Sequence, residues 1–348
     1  MRLPFYEASH RDTVSRLVEA QLLVIHLNGG WGNQFHTLMG SLPLAVALNR
    51  TLVLNFPWPD VIAAALEPNM VDWRPWKSHV FVKPPLTTVL NAASVSDAEL
   101  IACQSINVLH VGKGGIGVSG YNHYRRWSPA LRGRAQAQGL YPQGARGPDA
   151  VFEYLFRRTP ALNAKIQELH SALSPHGQPY LAMHVRTGVE ELEEMIKANW
   201  THFVDETSAM EIMPKLALRA MHMYALPPQT KWMLATDNVE FAMRMHARWP
   251  DNVFVTNKDL PLLHGGLHIN RGGGVEGSIL TFADWFLMTQ AAVVLRAGPS
   301  SYSLTAVYYT NSRCEALDGN LLSANNGAKL YVNVCPNPPI TRILFNTH

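Results

Sequence analysis

Four groups of residues in this chain are of types that could bind parts of a nucleotide, and each stands where a strand is expected to end. The first is Gly29-Gly30-Trp31-Gly32-Asn33-Gln34, directly after the apolar run Leu22 to Leu27. Glycine lets a backbone approach a ligand closely. The helix that follows such a turn offers unpaired amides and a partial positive charge. Taken alone, the glycines are better explained by a plain tight turn with a helix cap, but Asn33 and Gln34 beside them suit solvent or a ligand. The second group is His184-Val185-Arg186. The Arg186 guanidinium is a planar fork that matches phosphate oxygens, although Glu190, Glu191, Glu193 or Glu194 could hold it in an ordinary ion pair. His184 alternates with Val185, so it faces the other side of its strand, as a satisfied core histidine or as a ligand contact. The third is Asp237, at a strand end where many nucleotide sites place an acidic residue. The fourth is Ser300-Ser301, after Gly298-Pro299. Their hydroxyls can cap a helix or cradle a phosphate.

Other chemistries lack their marks. Gly112-Lys113-Gly114-Gly115-Ile116-Gly117 has the glycine spacing of a dinucleotide fingerprint. However, Val118-Ser119-Gly120-Tyr121-Asn122 is no helix start, and no acidic residue follows about 20 positions on. His264 and His268 are separated by Gly265-Gly266, which argues against the helix a metal pair would need. There is no C-x-x-C pair for structural zinc and no G-x-S-x-G elbow for acyl transfer. No metal site is expected.

Positioning these groups requires strands that alternate with helices. Strands are expected at 22–27, 51–56, 106–111, 179–185, 231–236, 252–256 and 291–295. Helices are expected at 34–49, 210–224, 239–249, 275–289 and 301–310. Pro43 is a blemish in the first helix. Strands spaced by such helices imply parallel sheets and an α/β fold. The stretch 57–105, rich in Pro and Trp, reads as irregular loops with short helices. Residues 140–150 form the clearest low-structure stretch. The turn Ser174-Pro175-His176-Gly177 helps set a division into domains 1–165 and 166–348.

The chain has 348 residues, 47% hydrophobic and 16% charged, which suits about two domains and excludes a disordered chain. Lys plus Arg number 29 and Asp plus Glu 26, a net charge of +3. That is too balanced for a dedicated nucleic-acid binder, so any anion must be held by a few placed groups. No apolar stretch approaches the ~20 residues of a membrane span, and the charged first twenty residues exclude a signal-peptide core. Of the three cysteines, Cys103, Cys314 and Cys335, one bridge between Cys314 and Cys335 is possible.

Taken in order along the chain, the four groups resemble the superfamily of GDP-fucose-dependent fucosyltransferases that includes the protein O-fucosyltransferases and the α1,6-fucosyltransferases. The segment from Gly30 to Leu42 looks like the family's Gly-x-x-Gly-Asn-Gln block, and it continues through Leu48-Asn49-Arg50-Thr51-Leu52. Met183-His184-Val185-Arg186-Thr187-Gly188 is similar to the His-x-Arg motif. Leu234-Ala235-Thr236-Asp237 resembles an Ala-Thr-Asp strand end. Asp284 with Ser300-Ser301 resembles the closing nucleotide-binding segment.

The resemblance implies a GT-B-like fold, two Rossmann-like domains with parallel sheets facing across a cleft. The second domain would bind the donor and the first would bind a glycan or protein acceptor. It also implies an inverting, metal-independent transfer of fucose with no cofactor beyond the donor substrate. In that reading Arg186 and the amides near Ser300 and Ser301 neutralise the leaving diphosphate. Asn33 sits near the reacting centre, Gly30, Gly32 and His184 line the donor site, and Asp237 and Asp284 hold the nucleoside. His26, His36, Glu190 and Glu191 are candidates by type for a general base. Another nucleotide sugar, or a silent nucleotide- or glycan-binding protein, would carry many of the same marks. Residues 57–150 resemble no named segment, so acceptor and linkage stay open. Family habit points to the secretory pathway, Golgi or ER lumen, while the lack of a leader leaves the cytoplasm open. The sequons at Asn49 and Asn199 decide nothing.

Overall fold

The computed structural model describes residues 3–16, 21–27, 30–56, 58–74, 87–90, 108–111, 133, 136–137, 148–187, 204, 206–256, 274–298, 300–310, 315–316 and 332–336. The chain forms two compact units, Met1–Thr159 and Pro160–His348. Residue 165, where the sequence suggests a division, lies inside the helix that opens the second unit.

The first unit contains α1 (Pro4–Arg16), β1 (Leu22–His26), α2 (Trp31–Ala47), β2 (Thr51–Asn55), α3 (Pro59–Ala65), β3 (Leu66–Pro68), β4 (Thr87–Leu90), β5 (Val108–Val111), α4 (Pro148–Leu155) and β6 (Phe156–Arg158). Its main sheet has the order β2-β1-β5-β4, parallel throughout. The first four residues of both β1 and β2 are buried, as expected of strands covered on both faces. α2 keeps its course through Pro43 because nearly all of its residues are buried, and tertiary packing outweighs one lost amide. The helix closes where Asn49 takes a positive φ of 51°, a conformation Asn tolerates. α1 is anchored across β2. Tyr6 Oη donates to the Arg50 carbonyl at 3.0 Å and accepts from the Leu52 amide at 3.1 Å. Burial raises the Tyr6 pKa well above its usual value, with the Leu52 amide opposing. β4 is a correction to the expected irregular stretch 57–105: Thr87-Thr88-Val89-Leu90 pairs in register with β5.

The second unit contains α5 (Pro160–Leu173), β7 (Leu181–Val185), α6 (Glu206–Met223), β8 (Trp232–Thr236), α7 (Val239–Arg248), β9 (Val253–Val255), α8 (Gly274–Gln290), β10 (Val293–Ala297), α9 (Ser301–Tyr309), β11 (Glu315–Ala316) and β12 (Val332–Pro336). The sheet order is β11-β12-β10-β7-β8-β9. The four strands from β10 to β9 are parallel, while β12 and β11 add on antiparallel. Leu181, Met183 and Val185 of β7 share one core with Leu295 and Ala297 of β10 and with buried residues of α6 and α7. The opposite face carries His184 and Arg296, which are register partners. Helices α8 and α9 supply hydrogen bonds to that face, including Tyr180 Oη to the Leu287 carbonyl at 2.7 Å and Ser303 Oγ to His184.

Two sequence expectations shift. β10 runs from 293 to 297, not 291 to 295, because Ala291 and Ala292 form the turn after α8, with the Ala292 amide on the Tyr180 carbonyl. Arg296 is therefore a strand residue. α5 has no counterpart among the expected helices, although Leu162, Ile166, Leu169 and Leu173 are buried along one face.

Candidate functional site

In the second unit the chain runs from β7 through β8 to β9 on one side, and β10 then joins β7 on the other. The reversal lies between β7 and β10. In open parallel sheets, ligands bind outside the carboxyl ends of strands at such a point. Arg186 follows β7 there, and Gly298 to Ser301 follow β10. The first unit has its own reversal, between β1 and β5.

The two strand ends at the β7/β10 reversal are in direct contact. The Arg186 amide donates to the Ala297 carbonyl at 3.2 Å, and the Val204 amide donates to the Arg186 carbonyl at 3.2 Å. Gly298 has φ +84°, and a Cβ there would lie 3.1 Å from Val204 Cγ2, 3.3 Å from the Arg186 carbonyl oxygen and 3.7 Å from Arg186 Cβ. A side chain in that conformation would be strained and would have to push these neighbours aside. Arg186 is half-buried. The Arg186 backbone and the turn leading to Ser300 thus form one junction.

α9 begins at Ser301, with Ser300 in the N-cap position. The Ser300 side chain makes no cap hydrogen bond, and the first turn holds no acidic residue. Capping, the ordinary employment of a serine at this place, is not what Ser300 does. The hydroxyls of Ser300 and Ser301 have no hydrogen bond among the described residues. A helix start with open amides and hydroxyls suits an anion.

Beneath it lies a cation that sequence reasoning did not assign. Arg296 is buried. Its Nε donates to Ser303 Oγ at 3.1 Å, and Nη2 donates to the Ser300 carbonyl at 2.9 Å. No acidic side chain pairs with it among the described residues. Burial lowers its pKa to about 10, with Tyr308 opposing, so it stays charged at neutral pH. An arginine directly after the apolar run Val293-Val294-Leu295 and before Ala297 was the signal available in the sequence. His184, also buried, has Nδ1 3.2 Å from Ser303 Oγ. Its ring tilts against Tyr302 at 5.7 Å between centroids.

Asp237, after β8, turns back on β7. Its Oδ1 accepts from the Thr187 amide at 2.8 Å and from Thr187 Oγ1 at 3.2 Å. It fixes the residue after Arg186. Asn238 next to it caps α7 by accepting from the Phe241 amide at 2.9 Å.

Asp284 sits on α8 with 1% of its surface exposed. Neither carboxyl oxygen makes a hydrogen bond among the described residues. Burial raises its pKa to about 7; the nearby Thr256 hydroxyl pulls the other way but is not in hydrogen-bond geometry. The Asp284 charge adds to the upward shift that burial gives Tyr302. Tyr302 touches His184 in turn, so Asp284 borders the same neighbourhood. A buried carboxyl without a partner is costly, and a ligand that donates two N–H groups would relieve it.

The remaining candidates belong to the first unit. Gly30 is the N-cap of α2, which carries no acidic residue in its first turn. Gly32 is buried and Asn33 exposed. Their amide geometry is that of a helix start, with the Asn33 and Gln34 amides on the Gly30 carbonyl at 3.0 and 3.1 Å. Of the base candidates, His26 has Nδ1 3.0 Å from Asn55 Nδ2, and His36 is half-buried on α2. Gly29, Gly188, Glu190, Glu191, Pro299, the segment 112–117, His264 and His268 lie outside the described residues. Among the described residues no group of three or more His, Cys, Asp or Glu could hold a metal ion, and no helix is long and apolar enough to cross a membrane.

No family profile matches the sequence, and no curated protein sequence matches it. Solved structures do. A mutant of Arabidopsis thaliana FUT1 in complex with GDP is 12% identical with a TM-score of 0.60, over 94% of this chain and 81% of that one. Fucosyltransferase NodZ from Bradyrhizobium is 16% identical with a TM-score of 0.52, over 91% of this chain and 99% of that one. NodZ α-1,6-fucosyltransferase soaked with GDP-fucose is 16% identical with a TM-score of 0.51, over 91% and 100%. At such identities the likeness is one of fold. The chain has the mixed α/β, parallel-sheet fold of GT-B fucosyltransferases, the class that its strand-end motifs resemble.

Proposed function

We propose that this chain is an inverting, metal-independent glycosyltransferase that moves fucose from GDP-fucose to a hydroxyl of a glycan or protein. One observation carries the reading: the Arg186 backbone and the Gly298-to-Ser301 turn meet at the sheet's point of reversal, in front of an uncapped helix start. The second unit would take the nucleotide and the first the acceptor. The shared fold supports this, since the similar structures were solved with GDP or GDP-fucose.

In the reaction the acceptor oxygen bonds to the anomeric carbon from the face opposite the diphosphate. The bond from that carbon to the β-phosphate oxygen breaks, and its electron pair leaves with GDP. The acceptor's proton passes to a base or to water. Arg186 and the amides and hydroxyls of Ser300 and Ser301 would stabilise the charge that grows on the leaving diphosphate. Such preorganised donors act without rearrangement at the moment of reaction. The Asp284 carboxylate would accept the two N–H groups of the guanine edge, and Asp237 would act by holding Thr187 behind Arg186. Cys335 is disulfide-bonded, to Cys103 or Cys314, both outside the described residues. Disulfides persist in oxidising compartments, which supports the secretory pathway over the cytoplasm.

Calorimetry with GDP, UDP and ADP tests the donor. GDP is expected to bind tightest; preference for UDP or ADP would replace fucose with another donor sugar. Release of GDP from GDP-fucose in the presence of hydroxyl acceptors then tests transfer. Binding of GDP with no release across acceptor classes would make the chain a silent binding protein.

A further inference from the structure

We infer that Arg296 and Ser303 are positioning residues that fix the tautomer of His184, leaving the imidazole neutral with its proton on Nε2. Three observations lead there. Arg296 Nε is a donor only, so at 3.1 Å Ser303 Oγ must accept from it. Ser303 then has one hydroxyl proton left, and the only acceptor within reach of Oγ among the described residues is His184 Nδ1, at 3.2 Å. A ring nitrogen that accepts carries no proton, so the proton of the neutral ring is on Nε2. The direction of the relay is set at its far end by a buried guanidinium that cannot reverse it, held in place by the Ser300 carbonyl at 2.9 Å.

The elements agree with this assignment. His184 and Arg296 are register partners on adjacent strands, on the same face of the sheet. Ser303 reaches them from the first turn of α9. A second positive charge on an imidazolium beside Arg296 would be unfavourable. Tyr302 lies against the ring at 5.7 Å between centroids. The relay also links the donor site to its own support. The turn whose carbonyl holds Arg296 is the one that presents the Ser300 hydroxyl. The inference deepens the proposed function and rests on that reading only where it gives His184 a ligand. His184 would meet an acceptor oxygen of the nucleotide as an Nε2–H donor, never as a base through Nε2.

The experiment is long-range ¹H–¹⁵N spectroscopy of the full chain with ¹⁵N-histidine, the His184 signals being assigned by loss in His184→Gln. With no nucleotide added, the wild-type ring is expected as the Nε2–H tautomer at pH 7 to 8. Ser303→Ala should shift the tautomer ratio about fivefold toward Nδ1–H, the scale of one net hydrogen bond. Ser303→Thr, which keeps the hydroxyl, should restore it. A wild-type ring with its proton on Nδ1, or a ratio unmoved by Ser303→Ala, would overturn the inference. Because Arg296→Met risks the fold, Arg296→Lys serves as the second variant: it keeps a donor and should retain the wild-type tautomer. GDP titration follows on the same samples. Loss of GDP binding in the wild type would sink the functional reading while leaving the tautomer result standing.

Discussion

Gly298 is the position where one added methyl group tests most of the site. With φ at +84°, alanine there would carry the left-handed penalty of about 1–2 kcal/mol. Its Cβ would also press on Val204 Cγ2 at 3.1 Å and on the Arg186 carbonyl oxygen at 3.3 Å. Both contacts are closer than carbon normally makes, and relieving them adds about 1–3 kcal/mol. The sum is roughly 2–5 kcal/mol, with the relief taken up by the backbone of Arg186. Gly177 is the internal control. It has φ +71° and nothing within 4 Å of the place a Cβ would occupy, so Gly177→Ala carries the conformational penalty alone. Chemical denaturation of both variants should place Gly298→Ala about 1–3 kcal/mol below Gly177→Ala. Calorimetry should show GDP affinity reduced at least about tenfold in Gly298→Ala, the equivalent of about 1.4 kcal/mol, and unchanged in Gly177→Ala. Equal stabilities with equal GDP affinities would refute the view that the junction shapes the site.

Three further outcomes are expected. Arg186→Ala should lower turnover on the order of 10²–10³-fold with the fold intact, and Arg186→Lys should rescue poorly because a point charge cannot replace the fork; rates near wild type in a GDP-release assay would contradict this. Ser300→Ala with Ser301→Ala should weaken GDP at least about tenfold while thermal unfolding moves by less than about 0.5 kcal/mol, since Ser300 makes no cap bond to lose. Asp284 gives a pH dependence whose sign follows from burial. With its folded pKa raised to about 7 from 3.8, the native state holds a proton that the unfolded chain has released between those values. Stability therefore falls as pH rises from about 4 to about 7, by an amount on the order of 4 kcal/mol. Asp284→Asn should flatten that slope in denaturation curves. GDP affinity should rise between pH 6 and 8 as the carboxyl ionises and becomes an acceptor, a rise absent from Asp284→Asn.

Much of the frame was legible because the runs Leu22 to Ile25, Leu52 to Leu54 and Leu181 to Val185 are short, almost wholly apolar (His184 being the exception) and followed within a few residues by turn residues. Runs of that kind mark strands buried on both faces. What each strand end carries was legible for the same reason. The frame of β10 slipped because Ala291 and Ala292 extend an apolar run without distinguishing turn from strand, while Arg296 looked like its end. The guanidinium belongs in the strand because Ser303 and the Ser300 carbonyl receive it, partners that no local pattern reveals. β4 was hidden by the Pro-rich stretch before it. Asp284 could be singled out by resemblance, yet its burial could not be read. α8 is buried over most of its surface, so no polar face marks which side its carboxyl takes. Ser300 read equally as a cap and as a ligand group; that its side chain makes no cap bond is a matter of geometry that spacing does not carry.

The six-stranded sheet of the second unit is bordered by stubs. β11 has two residues and β9 three, while the longer strands are interior. A long exposed margin is what lets one chain recruit another by strand addition, and neither border offers more than a fragment of such a template. Concentrated preparations of this protein should therefore resist growth into fibrils along this sheet, and crowding alone should leave the carboxyl ends of its strands unobstructed.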